Sequence, residues 1–275
     1  MFYSTKITNN SPTFGANLKS PRLRLSQKDF FIKIRGYGNN SSWAKEIIDI
    51  TDNAVDLIRN RNSADTVLQY ISAGVKKANQ IPFNLDRREH SGILRTKRNG
   101  YEYKQNDNFN EIITRYVNIP RYSKYAPQLN NTITNPLCPH FDKLTLTMPK
   151  NGYKNNNYLQ HAKSDSINNA LDIISKLYEH LAEKFKPSEV SNKDLKDIVN
   201  IISAMRWILA HATPWQRGSD AISNVFMRAL FKAYGIKAYS PAKGTSFDFE
   251  AYCNNLNEYI SKFQTFFIKP PKVIE

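Results

Sequence analysis

The sequence predicts a mainly helical α+β protein, and three observations point that way. Residues 164–266 carry apolar stripes at helical spacing, bounded by capping and stop signals. Residues 81–150 are broken by Pro82, Pro120, Pro127, Pro136, Pro139 and Pro149 into short pieces, which reads as a small, mixed, loop-rich lobe. The 275 residues are 40% apolar and 12% aromatic, enough to bury a sizeable core.

Taken in order, residues 1–28 are polar, contain Pro12, Gly15 and Pro21, and predict a surface arm. A single domain is expected from 29 to 275. Phe30–Tyr37 suggests a short strand. Trp43, Ile47, Ile48, Val55 and Ile58 then predict a helix over Ser41–Arg59, capped by Ser41 or Ser42, and a second helix follows over Ser63–Ala78. Within 81–150, a lobe or an insertion, a helix is expected over Asn108–Val117 and a strand over Leu144–Met148. The core, 164–266, opens with a helix capped by Ser164 or Asp165, striped by Ile167, Leu171, Ile174, Leu177, Tyr178 and Leu181, and stopped by Pro187. Ser191 with Asp194 forms a capping box for the next, whose buried stripe is Leu195, Ile198, Ile202, Met205 and Leu209. Thr213–Gly218 interrupts the period. A third helix runs over Ser219–Tyr234 with Gly235 as its C′ residue, and a last one after Thr245 or Ser246 carries Tyr252, Leu256, Tyr259, Ile260 and Phe263.

The net charge is +15, and it is uneven: residues 1–150 hold 23 basic against 12 acidic residues, and residues 151–275 hold 16 against 12. Such a field favours an acidic protein, an anionic membrane face, a nucleic acid or a phosphorylated small molecule. Two cysteines, Cys138 and Cys253, form neither a disulfide framework nor a zinc motif, so free buried thiols in a reducing compartment are expected. No apolar run reaches the roughly 20 residues that cross a bilayer. Met1-Phe2-Tyr3-Ser4 and the stretch after it lack the apolar centre of a secretory signal and the glycine needed for myristoylation. Delivery by a specialised secretion system stays open.

The segment that carries chemistry is Ala212-Thr213-Pro214-Trp215-Gln216-Arg217-Gly218-Ser219-Asp220, which lies between two helices and opens the second. Gly218 and Ser219 offer unpaired backbone N–H groups at the positive end of the helix dipole, and Arg217 adds a forked cation. Phosphate is the ligand this arrangement suits. The plain alternative is a helix-loop-helix turn with a solvated arginine.

A long apolar helix, a Pro-aromatic-x-x-Gly loop and a second helix ending in glycine resemble the core of the Fic fold, whose catalytic His position is Thr213 here. The closer resemblance is to the AvrB family of bacterial type III effectors, a Fic-like branch lacking that histidine. It rests on Ile201-Ile202-Ser203-Ala204-Met205-Arg206-Trp207, Pro214-x-Gln216-Arg217-Gly218-Ser219, Ala229, Gly235-Ile236 and Asp248-x-Glu250-Ala251, in order and at nearly the family's spacing. Arg95-Thr96 and His161 are placed upstream. The resemblance implies a Fic-like helical core and a nucleotide cleft with Arg217, Gly218, Ser219, Arg95 and Gln216 on the donor. It implies catalytic roles for Asp248, Thr96 and His161. The activity it implies is transfer of a rhamnose-like sugar from a nucleotide diphosphate donor of UDP or dTDP type to a Ser or Thr hydroxyl of a host or self protein, with no metal. Diphosphate departure asks for Arg217 and the helix N-terminus, and Asp248 is placed to orient the acceptor or take its proton.

Alternatives stand beside it: a pseudoenzyme that docks a nucleotide or host protein, a degenerate nucleotidyl transferase of Fic type, and nucleic-acid binding by Arg87-Arg88 and Arg95–Arg98 among Tyr101 and Tyr103. No nucleic-acid motif supports the last. The expected partners are an acidic host protein and a nucleotide sugar, with at most weak attraction to anionic membrane. The expected location is the host cytoplasm, or otherwise the bacterial cytoplasm.

Overall fold

The computed structural model describes residues 23–32, 40–79, 90–95, 103–104, 146–153, 156–187 and 189–274, and these are mainly helical. The helices are α1 (Ser41–Arg59), α2 (Ala64–Asn79), α3 (Ile167–Lys184), α4 (Leu195–Ala212), α5 (Ser219–Ala233), α6 (Phe247–Cys253) and α7 (Leu256–Lys262). Among the described residues five short strands accompany them: β1 (Tyr103–Lys104), β2 (Met148–Tyr153), β3 (Asn156–Gln160), β4 (Ile236–Lys237) and β5 (Lys272–Val273). An antiparallel sheet has the order β1-β3-β2, and β4 pairs antiparallel with β5.

The core is organised around α4. Its residues from Ile198 to Ala212 are almost all buried, because α3, α5, α6 and α7 pack around it. A single stripe was expected there, yet the helix is enclosed on every side and even Arg206 and His211 lie inside. α5 is similarly enclosed, resting on α1, α2 and α4. These helices share one apolar cluster that also takes in Trp207, Phe226, Phe231, Tyr259 and Phe263.

Local signals set most boundaries. Asn40, one residue earlier than expected, caps α1 by accepting from the Trp43 backbone N–H at 2.8 Å. Asp194 accepts from both the backbone N–H and the hydroxyl of Ser191 ahead of α4, at 2.9 and 2.7 Å. Gly235 follows α5 with φ of 68°, as a C′ glycine does.

Several expectations are corrected. Residues Gln27–Phe30 form a 3-10 turn, closed by Ser26 N–H donating to Asp29 Oδ2 at 2.7 Å, so no strand starts at Phe30; residues 33–39 lie outside the described residues. Leu25 packs against the core, so at 23–28 the expected surface arm is attached to the body. The Leu144–Met148 strand instead starts at Met148, because Thr147 N–H donates to the His211 carbonyl at 2.9 Å rather than to a strand. The expected last helix is two: Asn255 accepts from Glu258 N–H at 2.9 Å in a capping box and begins α7 afresh. Just before it, the Asn254 carbonyl accepts from Trp207 Nε1 at 2.9 Å. The Asn108–Val117 helix and Cys138 lie outside the described residues; Cys253 is buried.

If Asn255 sets the break between α6 and α7, Asn255→Ala costs about 1 kcal/mol of stability. Urea unfolding of the two proteins measures it, and an unchanged midpoint refutes the cap.

Candidate functional site

The loop from Thr213 to Gly218 leaves the buried end of α4 and enters α5, and the segment 90–95 lies along it. Gly92 N–H donates to the Arg217 carbonyl at 3.1 Å, Gln216 N–H to Ile93 at 2.8 Å, and Arg95 N–H to Pro214 at 2.8 Å. The approach requires a glycine: at Gly92, with φ of 70°, a Cβ would stand 2.4 Å from the Ser72 carbonyl oxygen of α2. Asn79, at the end of α2, donates to Ser91 Oγ and accepts from Trp43 Nε1, both at 2.8 Å. The loop is thereby tied to α1 and α2.

At the α4 end of the loop the Arg95 guanidinium is buried and held by protein acceptors. Its Nε donates to the Thr213 carbonyl at 2.7 Å, Nη2 to the Ala212 carbonyl at 2.7 Å and to Thr213 Oγ1 at 3.1 Å, and Nη1 to the Ala162 carbonyl at 2.8 Å. Burial lowers its pKa to about 10, with Tyr252 acting the other way. Arg95 therefore closes the C-terminus of α4, where a cation also suits the helix dipole. Thr213, a β-branched residue with φ of 38° and ψ of 61°, is held in a left-handed conformation that such residues avoid.

The Thr213 hydroxyl is the meeting point of this network. It lies 3.0 Å from His161 Nδ1 and 3.0 Å from Thr147 Oγ1, which itself accepts from Ala162 N–H at 2.9 Å. With Arg95 filling one acceptor position, the hydroxyl keeps one donor and one acceptor for these two neighbours. His161 can thus accept the Thr213 proton when Thr147 donates to Thr213. Thr96 lies outside the described residues.

At the α5 end, Gly218 is the N-cap residue, with φ of 84° and no side-chain cap. The first N–H groups of α5 have no side-chain cap, and the half-buried Arg217 precedes them. Ser219 Oγ accepts from Trp215 N–H at 3.1 Å and lies 3.0 Å from the Trp215 carbonyl, so this hydroxyl folds the loop. The Gln216 side chain meets His90 Nδ1 at 2.7 Å.

The group that sequence reading missed is Arg206. Its guanidinium is fully buried and forks between two carboxylates, with Nη1 to Asp248 Oδ1 and Nη2 to Asp220 Oδ1 both at 2.6 Å, while Nε reaches Asn224 Oδ1 at 3.3 Å. The two acids come from the first turns of α6 and α5. Burial opposes the Arg206 charge, but Asp248 and Asp220 outweigh it and hold its pKa above the ordinary value. Asp220 is held above the usual carboxylate range by burial and then by Asp248, against the pull of Arg206. The side chains stay 28% exposed at Asp220 and 15% at Asp248, so both carboxylates reach the surface beside the α5 N-terminus. An arginine four residues after Ile202, inside an apolar stripe, was the available signal.

Residues 143–270 match the family model AvrB_AvrC, described as avirulence protein. Over that stretch the chain is similar to the AvrB family. The match covers just under half of the chain and includes His161, Arg217 and Asp248, whereas Arg95 and Thr96 precede it. Avirulence protein B of Pseudomonas savastanoi pv. glycinea is 26% identical over 109 residues, which are 39% of this chain and 34% of that protein. The chain thus aligns with about a third of that relative's length. The sequence-named groups fall into two clusters at the two ends of one loop: Arg95 and His161 meet at Thr213, and Asp248 is joined through Arg206 to Asp220, three residues after Arg217.

Two outcomes follow. Arg206→Leu, which leaves both carboxylates without their cation, is expected to cost about 3–5 kcal/mol at pH 7 by urea unfolding. The cost shrinks towards pH 5, because a carboxyl whose folded pKa is raised stabilises the fold at low pH and loses that contribution as pH rises. A cost unchanged between these pH values refutes the coupled pair. His211 is buried with Nδ1 at 3.0 Å from the Thr147 carbonyl and Nε2 at 3.1 Å from the Ala251 carbonyl, and burial lowers its pKa from 6.5 to about 4 despite them. A lowered histidine pKa gives stability that is present above pH 6.5 and lost as pH falls towards 4. The wild type should lose about 3 kcal/mol across that window relative to His211→Asn; parallel pH profiles would contradict it.

Proposed function

We propose that the protein is a host-directed effector whose AvrB-family domain transfers a glycosyl group from a nucleotide diphosphate sugar to a protein Ser or Thr hydroxyl. The observation that carries this reading is the α5 N-terminus: uncapped N–H groups, Arg217 beside them, and the Asp220–Arg206–Asp248 cluster adjoining on the next turn. The family match adds the effector character, and the printed name of the relative, Avirulence protein B, agrees with it. No helix among the described residues is long and apolar enough to cross a membrane.

In this reading the donor's diphosphate lies on the α5 N–H groups and Arg217, where fixed donors meet charge that grows as the bond from the anomeric carbon to the phosphate oxygen breaks. The acceptor hydroxyl forms the new bond to that carbon. Its proton passes to the Asp248 carboxylate, which Arg206 orients through Oδ1. Asp220, on the other arm of Arg206, holds the guanidinium in place beside the diphosphate. Arg95 keeps the loop in place from the α4 side, so it supports the donor's seat instead of contacting the phosphates. His161 and Thr213 form a proton-sharing pair on that side of the loop.

A thermal-shift series with UDP, dTDP, GDP and ADP and their sugar conjugates, rhamnose included, tests the donor site. The matching nucleotide sugar should stabilise the wild type by about 2.7 kcal/mol at a hundred times its Kd, and Arg217→Ala should lose that shift. Asp248→Asn should keep the donor shift and lose transfer, read as the mass added to an acceptor protein. Full transfer by Asp248→Asn would remove Asp248 as the base. No shift with any nucleotide would favour a protein-docking role without catalysis.

A further inference from the structure

The far end of α5 holds a second basic site, about two helical turns beyond Asp220 and sharing no residue with the transfer site. A cavity of about 240 Å³ opens there between α5, β4 and the segment 23–29. Arg228 lines it and is 1% exposed. Among the described residues its two terminal nitrogens reach the Ala238 and Tyr239 carbonyls, at 3.2 and 3.3 Å, longer than the usual 2.9–3.0 Å, and the Phe30 ring lies 5.4 Å from the guanidinium. Its Nε is buried without a hydrogen-bond partner among the described residues.

A buried guanidinium in this state is expensive unless an anion meets it. Among the described residues no carboxylate lies within ion-pair distance of Arg228. The nearest influence is Asp29, whose oxygens already accept from Ser26 N–H at 2.7 Å and Ser240 Oγ at 2.9 Å. Arg24, Lys232 and Lys237 line the same cavity. Lys232 is set against Asp52 at 2.6 Å. The remaining cations, Arg24, Arg228 and Lys237, face the single carboxylate of Asp29, an excess of two positive charges. The other walls include the apolar side chains of Leu25, Phe231 and Ile236.

We propose that this cavity binds a phosphomonoester: a small dianion whose phosphate lies against Arg228 with Arg24 and Lys237, and whose apolar body rests on Leu25, Phe231 and Ile236. The charge excess matches the two charges of a phosphomonoester near neutral pH. The volume, below the range of drug-sized pockets, restricts the ligand to a small body. Burial holds the pKa of Arg228 near 10, still fully charged at neutral pH.

The test uses the full chain, inorganic phosphate and phenyl phosphate, with sodium chloride replaced at constant ionic strength. Both anions should raise the melting temperature, phenyl phosphate by about 3 °C or more at saturating concentration and more than inorganic phosphate. The shift should persist in Arg217→Ala and disappear in Arg24→Gln combined with Lys237→Gln, two exposed positions whose unliganded melting temperature gives the baseline. No shift with either anion, a shift that survives the double substitution, or a shift lost in Arg217→Ala would each overturn the assignment. Because the transfer site is probed through Arg217 and this one through Arg24 and Lys237, failure of either leaves the other standing.

Discussion

A charge placed inside the most buried helix is the constraint around which the rest is arranged. Arg206 sits midway along α4 with no exposed side-chain surface, and a guanidinium so placed must be met by anions with good geometry. Its planar fork takes one carboxylate per terminal nitrogen, so Asp220 and Asp248 fix the first turns of α5 and α6 against α4 in a single arrangement. Both acids are also where the helix dipole favours negative charge. The Phe247 ring, 5.7 Å from the guanidinium, closes the remaining side. Packing alone would allow these helices to slide by a fraction of a turn; a two-armed hydrogen-bonded cation does not.

The loop between α4 and α5 depends on that register and on a second buried arginine. Arg95 satisfies the last carbonyls of α4, and the 90–95 segment supplies backbone partners along the loop. Thr213 is held left-handed between them, where its hydroxyl joins His161 and Thr147. The two arginines thus do for the two ends of the loop what caps and turns do in simpler proteins, and they leave Arg217 and the uncapped α5 N–H groups presented together. Preorganisation of this kind suits a site that stabilises developing charge, since no group has to reorient as the charge appears.

α5 then has two different ends. At its start, cations and carboxylates are matched and the helix dipole is unopposed by a cap. Near its other end, Arg228 is buried with two long carbonyl bonds and no carboxylate in contact among the described residues. The first is a balanced set of charges; the second is the imbalance on which the proposed phosphomonoester site rests.

The helices α1 to α5 were legible because each has its own apolar period and its own stop: Gly235 after α5 and the Ser191–Asp194 pair before α4 act within a few residues of the boundary they set. The placement of Arg217, Gly218 and Ser219 at a helix N-terminus was legible for the same reason. The hidden parts all depend on partners distant in the chain. Arg206 looked like one charge in an apolar run until residues 14 and 42 positions away closed on it. Nothing near Arg95 in the chain announced the carbonyls 117 and 118 positions away that it meets. The break between α6 and α7 was disguised because Tyr252, Leu256, Tyr259 and Phe263 keep a helical spacing across it. Sequence by itself determined where the helices α1 to α5 lie and where the glycine turn that opens α5 falls, since those follow from local capping and periodicity. Only the tertiary structure decided which charges are neutralised, because a buried charge takes its role from whichever groups the fold brings within hydrogen-bond distance.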